Sequence, residues 1–119
     1  MEKKSILIVD DEEIIREFLF EVLNEDYSVN TVTDGDEAID ELKQHEYDLI
    51  ITDLKMERVQ GEEVVKFAHD KDPDSKVIVI SGYSSLYSVS QSVNNGAFAF
   101  LSKPFSIKEL LQTVSAAMN

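Results

Sequence analysis

Apolar residues recur in five short segments along the chain, and three of these segments contain uninterrupted apolar runs, ILIV, LII and VIVI. A strand that is apolar at every position, rather than at alternate ones, is typical of a parallel sheet covered on both faces. We therefore predict strands at Ser5–Val9, Ser28–Val32, Asp48–Thr52, Lys76–Ile80 and Phe98–Ser102.

Segments with helical periodicity follow each predicted strand. After the first strand, apolar residues recur at every fourth position in two series, which together form a broad apolar stripe. The apolar positions of the five segments are Ile14, Ile15, Phe18, Leu19, Val22 and Leu23; Ala38, Ile39 and Leu42; Val64, Val65, Phe67 and Ala68; Leu86, Val89 and Val93; and Ile107, Leu110, Leu111, Val114 and Met118. Five strand-then-helix units predict an α/β fold, in which a five-stranded parallel sheet carries five helices on both faces.

Length and composition limit the functions that such a fold could have. The 119 residues suffice for one domain with a substantial core, and the absence of cysteine excludes disulfides, thiolate metal sites and a cysteine nucleophile. The first apolar run is too short for a signal peptide or a membrane span, so we expect a cytoplasmic protein with no membrane association. The net charge of −13 argues against direct nucleic-acid binding and suits a protein that binds a cation or positively charged partners.

Chemically reactive side chains stand where predicted strands end. Asp10 and Asp11 follow the first strand, Asp53 the third, Ser81 the fourth and Lys103 the fifth. In an open parallel sheet the binding crevice lies beyond the carboxyl ends of the strands. We therefore expect three carboxylates, a hydroxyl and an ammonium group to meet at one edge of the sheet.

That set of groups indicates phosphoryl chemistry. Three close carboxylates cannot all stay ionised without a positive partner, and Mg²⁺ prefers oxygen ligands of this kind. Lys103 can bind a phosphoryl oxygen as a point charge, and Ser81 adds a neutral donor. One of the carboxylates would then act as the nucleophile and become an acyl phosphate.

With these motifs in place, the chain resembles the CheY-like receiver domains of bacterial two-component response regulators over its whole length, 1–119. The resemblance rests on the acid pair after the first strand, DLKM and a later glycine after the third, SGY after the fourth and KPF after the fifth. It implies the doubly wound (βα)5 fold with strand order 2-1-3-4-5. One departure is Glu57, where the family commonly has proline, and we expect a less rigid loop there.

The resemblance also assigns roles to individual residues. It implies that Asp53 is the phosphoacceptor and that Mg²⁺ is bound directly by Asp11, mainly through water by Asp10, and by Asp53 and the backbone carbonyl of Lys55. It further implies that Lys103 binds the phosphoryl group.

A second set of roles concerns switching and phosphoryl lifetime. Ser81 and Phe100 would be the switch pair, and the Lys103–Pro104 peptide bond is expected to be cis, which proline permits. Lys55 and Tyr83 occupy the positions that tune phosphoryl lifetime in the family. Because a protonated lysine cannot orient water as a base and a tyrosine can shield the phosphate, we expect slow self-hydrolysis, and no enzymatic activity beyond the protein's own phosphorylation and dephosphorylation.

The partners implied are a sensor histidine kinase, or a histidine phosphotransfer protein, and an output protein or domain. We expect the phosphodonor to dock on the first helix near Glu13, Ile14 and Ile15. The output surface would be formed by helix four, strand five and helix five, with Tyr87 as a candidate. Because the chain ends directly after the fifth predicted helix, we expect either a stand-alone receiver or one that belongs to a longer regulator.

Several of these residues also have ordinary structural interpretations. Asp10 and Asp11 could cap the first helix, although one aspartate would suffice, and Phe100 could be a plain core residue. Asp53 could be a turn residue at a strand end, Ser81 could cap the turn into the fourth helix, and Lys103 could be an ordinary exposed lysine in a turn. The other polar candidates are assigned to the surface: His45 and His69 as solvated histidines, and Glu12 and Glu13 as first-turn acids that favour the helix dipole.

Three functions of other classes are compatible with the same fold. A flavodoxin-like cofactor binder would need a phosphate loop rich in serine, threonine and glycine after the first strand, where this chain has acids. A Mg²⁺-dependent phosphohydrolase would usually add a capping insertion and a second acid or base on the nucleophile's loop, and neither is visible in the sequence. A protein-interaction module that works without phosphorylation is the main alternative.

Overall fold

The computed structural model describes residues 3–54, 61–82 and 86–119, with only the backbone at 86–88. Strands and helices alternate along these residues. The elements are β1 (Ser5–Val9), α1 (Glu13–Leu23), β2 (Ser28–Val32), α2 (Gly35–Gln44), β3 (Leu49–Asp53), α3 (Gly61–Lys71), β4 (Lys76–Ser81), α4 (Leu86–Asn94), β5 (Ala99–Ser102) and α5 (Ile107–Met118).

The strands form one parallel sheet in the order β2-β1-β3-β4-β5, which confirms the predicted topology. Two strand bounds differ from the prediction, because β3 runs from Leu49 to Asp53 rather than from Asp48 to Thr52 and β4 ends at Ser81 rather than at Ile80. The register places Asp53 opposite Ile80 and Ser81 opposite Ser102. The carboxyl ends of β3, β4 and β5 therefore lie side by side along one edge.

Two apolar layers cover the two faces of the sheet. In β1, Ile6 and Ile8 pack in one layer together with Leu19 of α1 and Leu110 of α5. The alternate residues, Leu7 and Val9, pack in the other layer with side chains of α2 and α3. Because successive strand residues face opposite sides, burial on both faces requires apolar residues at every position, and this explains the uninterrupted runs in the sequence.

Polar side chains cap two of the helices. Asp34 accepts a hydrogen bond from the Glu37 amide at the start of α2, at 2.9 Å. Ser106 and Glu109 form a reciprocal capping box at the start of α5. These bonds satisfy amide groups that have no partner within the first turn of a helix.

The turn between β5 and α5 contains a cis peptide bond between Lys103 and Pro104, as predicted. This turn follows the end of β5 and brings Lys103 to the same edge of the sheet as Asp53. Within the described ranges 3–54, 61–82 and 86–119, no helix is both long and apolar enough to cross a membrane.

Candidate functional site

Four acidic side chains converge where β1 and β3 end. Carboxylate oxygens of Asp10, Asp11, Glu12 and Asp53 all lie within 4.8 Å of one another. Asp10 is completely buried and Asp53 is only 5% exposed, whereas Asp11 and Glu12 face solvent. The cluster is therefore a pocket with a buried floor and an open rim.

Lys103 places its ammonium group inside this acidic cluster. Its Nζ lies 3.0 Å from Asp53 Oδ2, 3.0 Å from Glu12 Oε1 and 3.4 Å from Asp10 Oδ2. Burial alone would lower the pKa of Lys103, but the hydrogen bonds to Asp53 and Glu12 and the charges of Asp10 and Asp53 raise it above its ordinary value. Lys103 is thus a fixed positive charge among carboxylates.

The carboxylate of Asp10 is held by backbone as well as by Lys103. Its Oδ1 accepts a hydrogen bond from the Glu12 amide at 2.8 Å, while Arg16 binds the Asp10 carbonyl oxygen at 2.7 Å. Burial raises the pKa of Asp10 and the charge of Asp53 raises it further, although the Glu12 amide and Lys103 oppose this change. Among the described residues, four carboxylates therefore share one ammonium group, which cannot balance their combined charge.

Gly61, at the start of α3, packs directly against the backbone at the end of β3. Its amide donates to the Leu54 carbonyl at 2.9 Å, and a Cβ at position 61 would lie 2.0 Å from the carbonyl oxygen of Asp53. Only glycine allows the start of α3 to approach the end of β3 this closely.

Ser81 lies on β4, which pairs with β3, and Phe100 lies on β5, the next strand of the sheet. Ser81 is buried at the end of β4, and its carbonyl accepts a hydrogen bond from the Lys103 amide at 2.8 Å. Phe100, in β5, lies opposite Val79 of β4. It is half-buried against the apolar layer on the side of α2 and α3. The main chain of β4 therefore contacts the residue that carries the ammonium group, while Phe100 lies in the strand leading to it.

The structure thus gathers Asp10, Asp11, Asp53 and Lys103 at one edge of the sheet, with Ser81 joined to them through the Lys103 backbone. The remaining predicted positions lie outside the described residues: Lys55, Glu57 and Tyr83, together with the side chain of Tyr87. His45 and His69 are both exposed, as predicted, and His45 Nδ1 lies 3.0 Å from Glu41 Oε1.

The placement of Glu12 in the first turn of the helix was wrong. Helix α1 begins at Glu13, and the side chain of Glu12, at its N-cap, makes no capping hydrogen bond. Instead its carboxylate reaches across the pocket to Lys103. The available signal was its position directly after the acid pair, which places a third carboxylate at the same strand end.

An apolar cavity of about 330 Å³ adjoins the acidic pocket. Ile15, Phe18, Pro104 and Phe105 line it together with Lys103, and the rings of Phe18 and Phe105 lie 6.2 Å apart. Ile14, on the same helix, is 79% exposed. A partner seated on this surface would be directly beside the acidic cluster.

The donor set of the pocket suits a hard divalent cation. All four candidate ligands are carboxylates, and oxygen is the ligand that Mg²⁺ and similar ions prefer. Burial, and to a smaller extent the charge of Asp53, raise the pKa of Asp10, and a bound cation would oppose both effects. The residues present therefore fit a magnesium site.

Comparisons with known proteins agree on one family. The sequence model of the response regulator receiver domain matches residues 6–115. The response regulator ArlR of Staphylococcus aureus is 35% identical over 115 residues, which cover 96% of this chain and 52% of that protein. The chain spans about half the length of the curated relatives it matches.

Solved structures give the same result. A CheY-like receiver domain protein from Methanospirillum hungatei JF-1 superimposes with a TM-score of 0.94 at 31% identity, covering 98% of this chain and 94% of the other. The beryllofluoride-activated NtrC4 receiver domain dimer gives 0.89 at 35% identity, covering 96% and 95%. Together with the match over residues 6–115, these likenesses place the chain among the response regulator receiver domains of two-component systems.

Proposed function

We propose that Asp53 accepts a phosphoryl group from a histidine kinase or a histidine phosphotransfer protein, within a receiver domain that spans residues 1–119. The observation that carries this proposal is the position of Asp53, whose carboxylate lies 3.0 Å from the Lys103 ammonium inside a cluster of four acids. A nucleophile, a cation site and a phosphoryl-binding cation stand together there, as phosphoryl transfer requires.

Asp10, Asp11 and Asp53 would hold Mg²⁺, and the resemblance to the family adds the backbone carbonyl of Lys55. The bound ion neutralises negative charge on the carboxylates and on the phosphoryl oxygens. The Asp53 carboxylate forms a bond to phosphorus while the bond from phosphorus to the donor imidazole nitrogen breaks, and that nitrogen keeps the electron pair. Lys103 binds a phosphoryl oxygen during the transfer.

The phosphodonor is proposed to dock on α1 beside the pocket. Ile14 is exposed, and Ile15 and Phe18 line the apolar cavity that Lys103 shares with Phe105. Because this surface adjoins the reacting carboxylate, a partner bound there would bring its phosphohistidine to Asp53. Apolar contacts of this kind would contribute to the affinity for the phosphodonor, while the acidic residues would take part in the phosphoryl transfer.

Phosphorylation is proposed to act through Ser81 and Phe100. The added phosphoryl group brings about two negative charges and strong acceptor oxygens to the end of β3. Ser81, buried at the end of β4, moves toward it, and the half-buried Phe100 turns inward. The change shifts the population between two states of the surface formed by α4, β5 and α5, where an output partner binds.

Mass spectrometry of the intact protein tests the phosphoacceptor directly. We expect acetyl phosphate to give a single phosphoryl adduct that requires Mg²⁺ and is absent from Asp53→Asn. Asp48→Asn is the matched control, because it makes the same substitution before β3 rather than at its end and should label normally. An adduct on Asp53→Asn, or none on the natural sequence with Mg²⁺, would refute the proposal and favour an interaction module that works without phosphorylation.

The lifetime of the adduct is a separate proposal, which rests on Lys55 and Tyr83. We expect the isolated phosphoprotein to lose its adduct slowly after the donor is removed. Following the adduct by intact mass over time measures this, and a half-life of seconds would contradict it.

A further inference from the structure

The ammonium group of Lys103 has no spare hydrogen-bond donor. It carries three N–H groups, and three carboxylates lie within reach of them, those of Asp10, Glu12 and Asp53. If Lys103 is to bind a phosphoryl oxygen, one of these existing contacts must be given up.

Glu12 is the partner best able to leave. The Asp10 carboxylate is completely buried and also accepts a hydrogen bond from the Glu12 amide. Asp53 is the group that receives the phosphoryl group. The side chain of Glu12 is 61% exposed, so it can turn into solvent without burying an uncompensated charge.

The negative charge of Glu12 has a further consequence. Its carboxylate lies within 4.8 Å of the other acids of the cluster, at the rim through which a phosphodonor enters. An approaching phosphoryl group is itself negative, so this charge repels it, while the same charge attracts a divalent cation.

We propose that Glu12 is a positioning residue that holds Lys103 before phosphorylation and competes with the phosphoryl group for it. This inference rests on the proposed function of Asp53. Glu12 thereby restrains phosphorylation while strengthening cation binding. Removal of its charge should therefore move two affinities in opposite directions, which the loss of a merely structural contact would not do.

Glu12→Gln tests the inference, and Glu13→Gln is the matched control, because Mg²⁺, beryllofluoride and acetyl phosphate do not require a partner protein docked on α1 near Glu13. Both variants remove one negative charge from the start of α1, but Glu13 lies in the first helical turn along the outer surface with Ile14 and Phe18 and is not in the acidic cluster. The chain has no tryptophan, so calorimetry measures Mg²⁺ affinity and amide chemical shifts measure beryllofluoride affinity at saturating Mg²⁺.

For Glu12→Gln we expect beryllofluoride to bind about three- to fivefold more tightly and Mg²⁺ to bind about two- to threefold more weakly, the size of effect of a partly exposed ion pair. Labelling by acetyl phosphate at saturating Mg²⁺ should accelerate by a similar factor. The side-chain Cε signal of Lys103 should also shift in Glu12→Gln before any phosphorylation, and it should not shift in Glu13→Gln.

Three results would overturn the inference. If both affinities fall together, Glu12 acts only as a cation ligand. If Glu12→Gln matches Glu13→Gln, the contact with Lys103 does not affect phosphoryl binding. If the natural sequence takes no label at all, the inference fails together with the proposed function. If the natural sequence is labelled normally and Glu12→Gln leaves both affinities unchanged, as in the second result, the inference fails alone.

Discussion

Asp10 and Asp48 lie at opposite ends of the same sheet and have opposite surroundings. Asp48 is exposed, and its Oδ2 accepts hydrogen bonds from the Ser5 amide at 2.8 Å and the Ser5 hydroxyl at 3.3 Å. Asp10 is completely buried and shares one ammonium group with two other carboxylates. Asp48 therefore satisfies hydrogen-bond donors of Ser5 at the start of β1, whereas Asp10 carries a negative charge that its contacts do not fully neutralise.

Other polar groups at the edge of the sheet formed by the amino ends of the strands resemble Asp48, because their hydrogen bonds are also made within the chain. The Tyr47 hydroxyl donates to Glu41 Oε1 at 2.8 Å and accepts from Asn30 Nδ2 at 3.0 Å, and the Ser75 hydroxyl donates to the Tyr47 carbonyl at 2.7 Å. These polar groups are satisfied within the chain, so they contribute to stability alone. At the carboxyl end a bound cation would supply the missing compensation, and a ligand that binds only the folded state would also stabilise that state.

The largest expected effect concerns Gly61, where α3 contacts the backbone at the carboxyl end of β3. Gly61→Ala should lower the free energy of unfolding by about 3 kcal/mol, because the new methyl group would collide with the Asp53 carbonyl oxygen and the main chain must move. Urea denaturation measures the change. Gly82→Ala is the control and should be almost neutral, since among the described residues a Cβ there would meet nothing nearer than 4.0 Å. Equal effects of the two substitutions would show that the close approach of α3 to β3 is unimportant.

The next largest expected effect is a gain in stability, caused by a substitution of Asp10. Asp10→Asn should raise the free energy of unfolding without divalent cation by about 2 kcal/mol, the scale for a buried polar group with incomplete compensation. Because burial raises the pKa of folded Asp10 above its ordinary value of 3.8, its charge costs stability as the pH rises through that folded pKa. The gain should accordingly vanish in acid and be complete near neutral pH.

Thermal melting with and without Mg²⁺ completes this test. The natural sequence should gain more stability from Mg²⁺ than Asp10→Asn does, because the variant has lost one carboxylate of the cluster. A variant that is less stable than the natural sequence near neutral pH would mean that the carboxyl end is not under electrostatic strain.

At the amino end, Tyr47→Phe should lower the free energy of unfolding by about 1–2 kcal/mol, because it removes one hydroxyl and two hydrogen bonds. The stabilisation by Mg²⁺ should not change. Tyr27→Phe serves as the control, since among the described residues its hydroxyl has no hydrogen-bond partner and its loss should cost little. A changed response to Mg²⁺ in Tyr47→Phe would show that the two ends of the sheet are coupled.

The fold was predictable because the central strands β1, β3 and β4 are buried on both faces, and uninterrupted apolar runs such as ILIV and VIVI are typical of strands in a covered parallel sheet. The strand ends were less exact. The apolar pattern stops before Asp53 and Ser81, but backbone pairing continues through these residues. Phe98 was placed in the last strand, yet it is 45% exposed and precedes β5, although its amide does bond to the Val77 carbonyl.

The site was predictable to the extent that strand ends determine it. Asp10, Asp53 and Lys103 follow directly from the alignment of parallel strands at one edge. Glu12 was missed because its role depends on the reach of a flexible side chain across the pocket to another strand, which no local pattern encodes. The contact of Gly61 with the Asp53 backbone is likewise a matter of tertiary approach, which a single glycine in a sequence does not reveal.

The smallest expected effect separates the two aspartates most cleanly. Asp48→Asn keeps an oxygen that can accept from the Ser5 amide but loses the charge that strengthens the bond, so the free energy of unfolding should fall by less than about 1 kcal/mol. The same substitution at Asp10 is expected to stabilise, so two identical chemical changes should have opposite signs at the two ends of one sheet. Parallel urea denaturation of both variants without Mg²⁺, near neutral pH, measures the two signs. If both variants were destabilised alike, the buried carboxylate at the site would be as well compensated as the exposed one, and the electrostatic difference between the two ends would not exist.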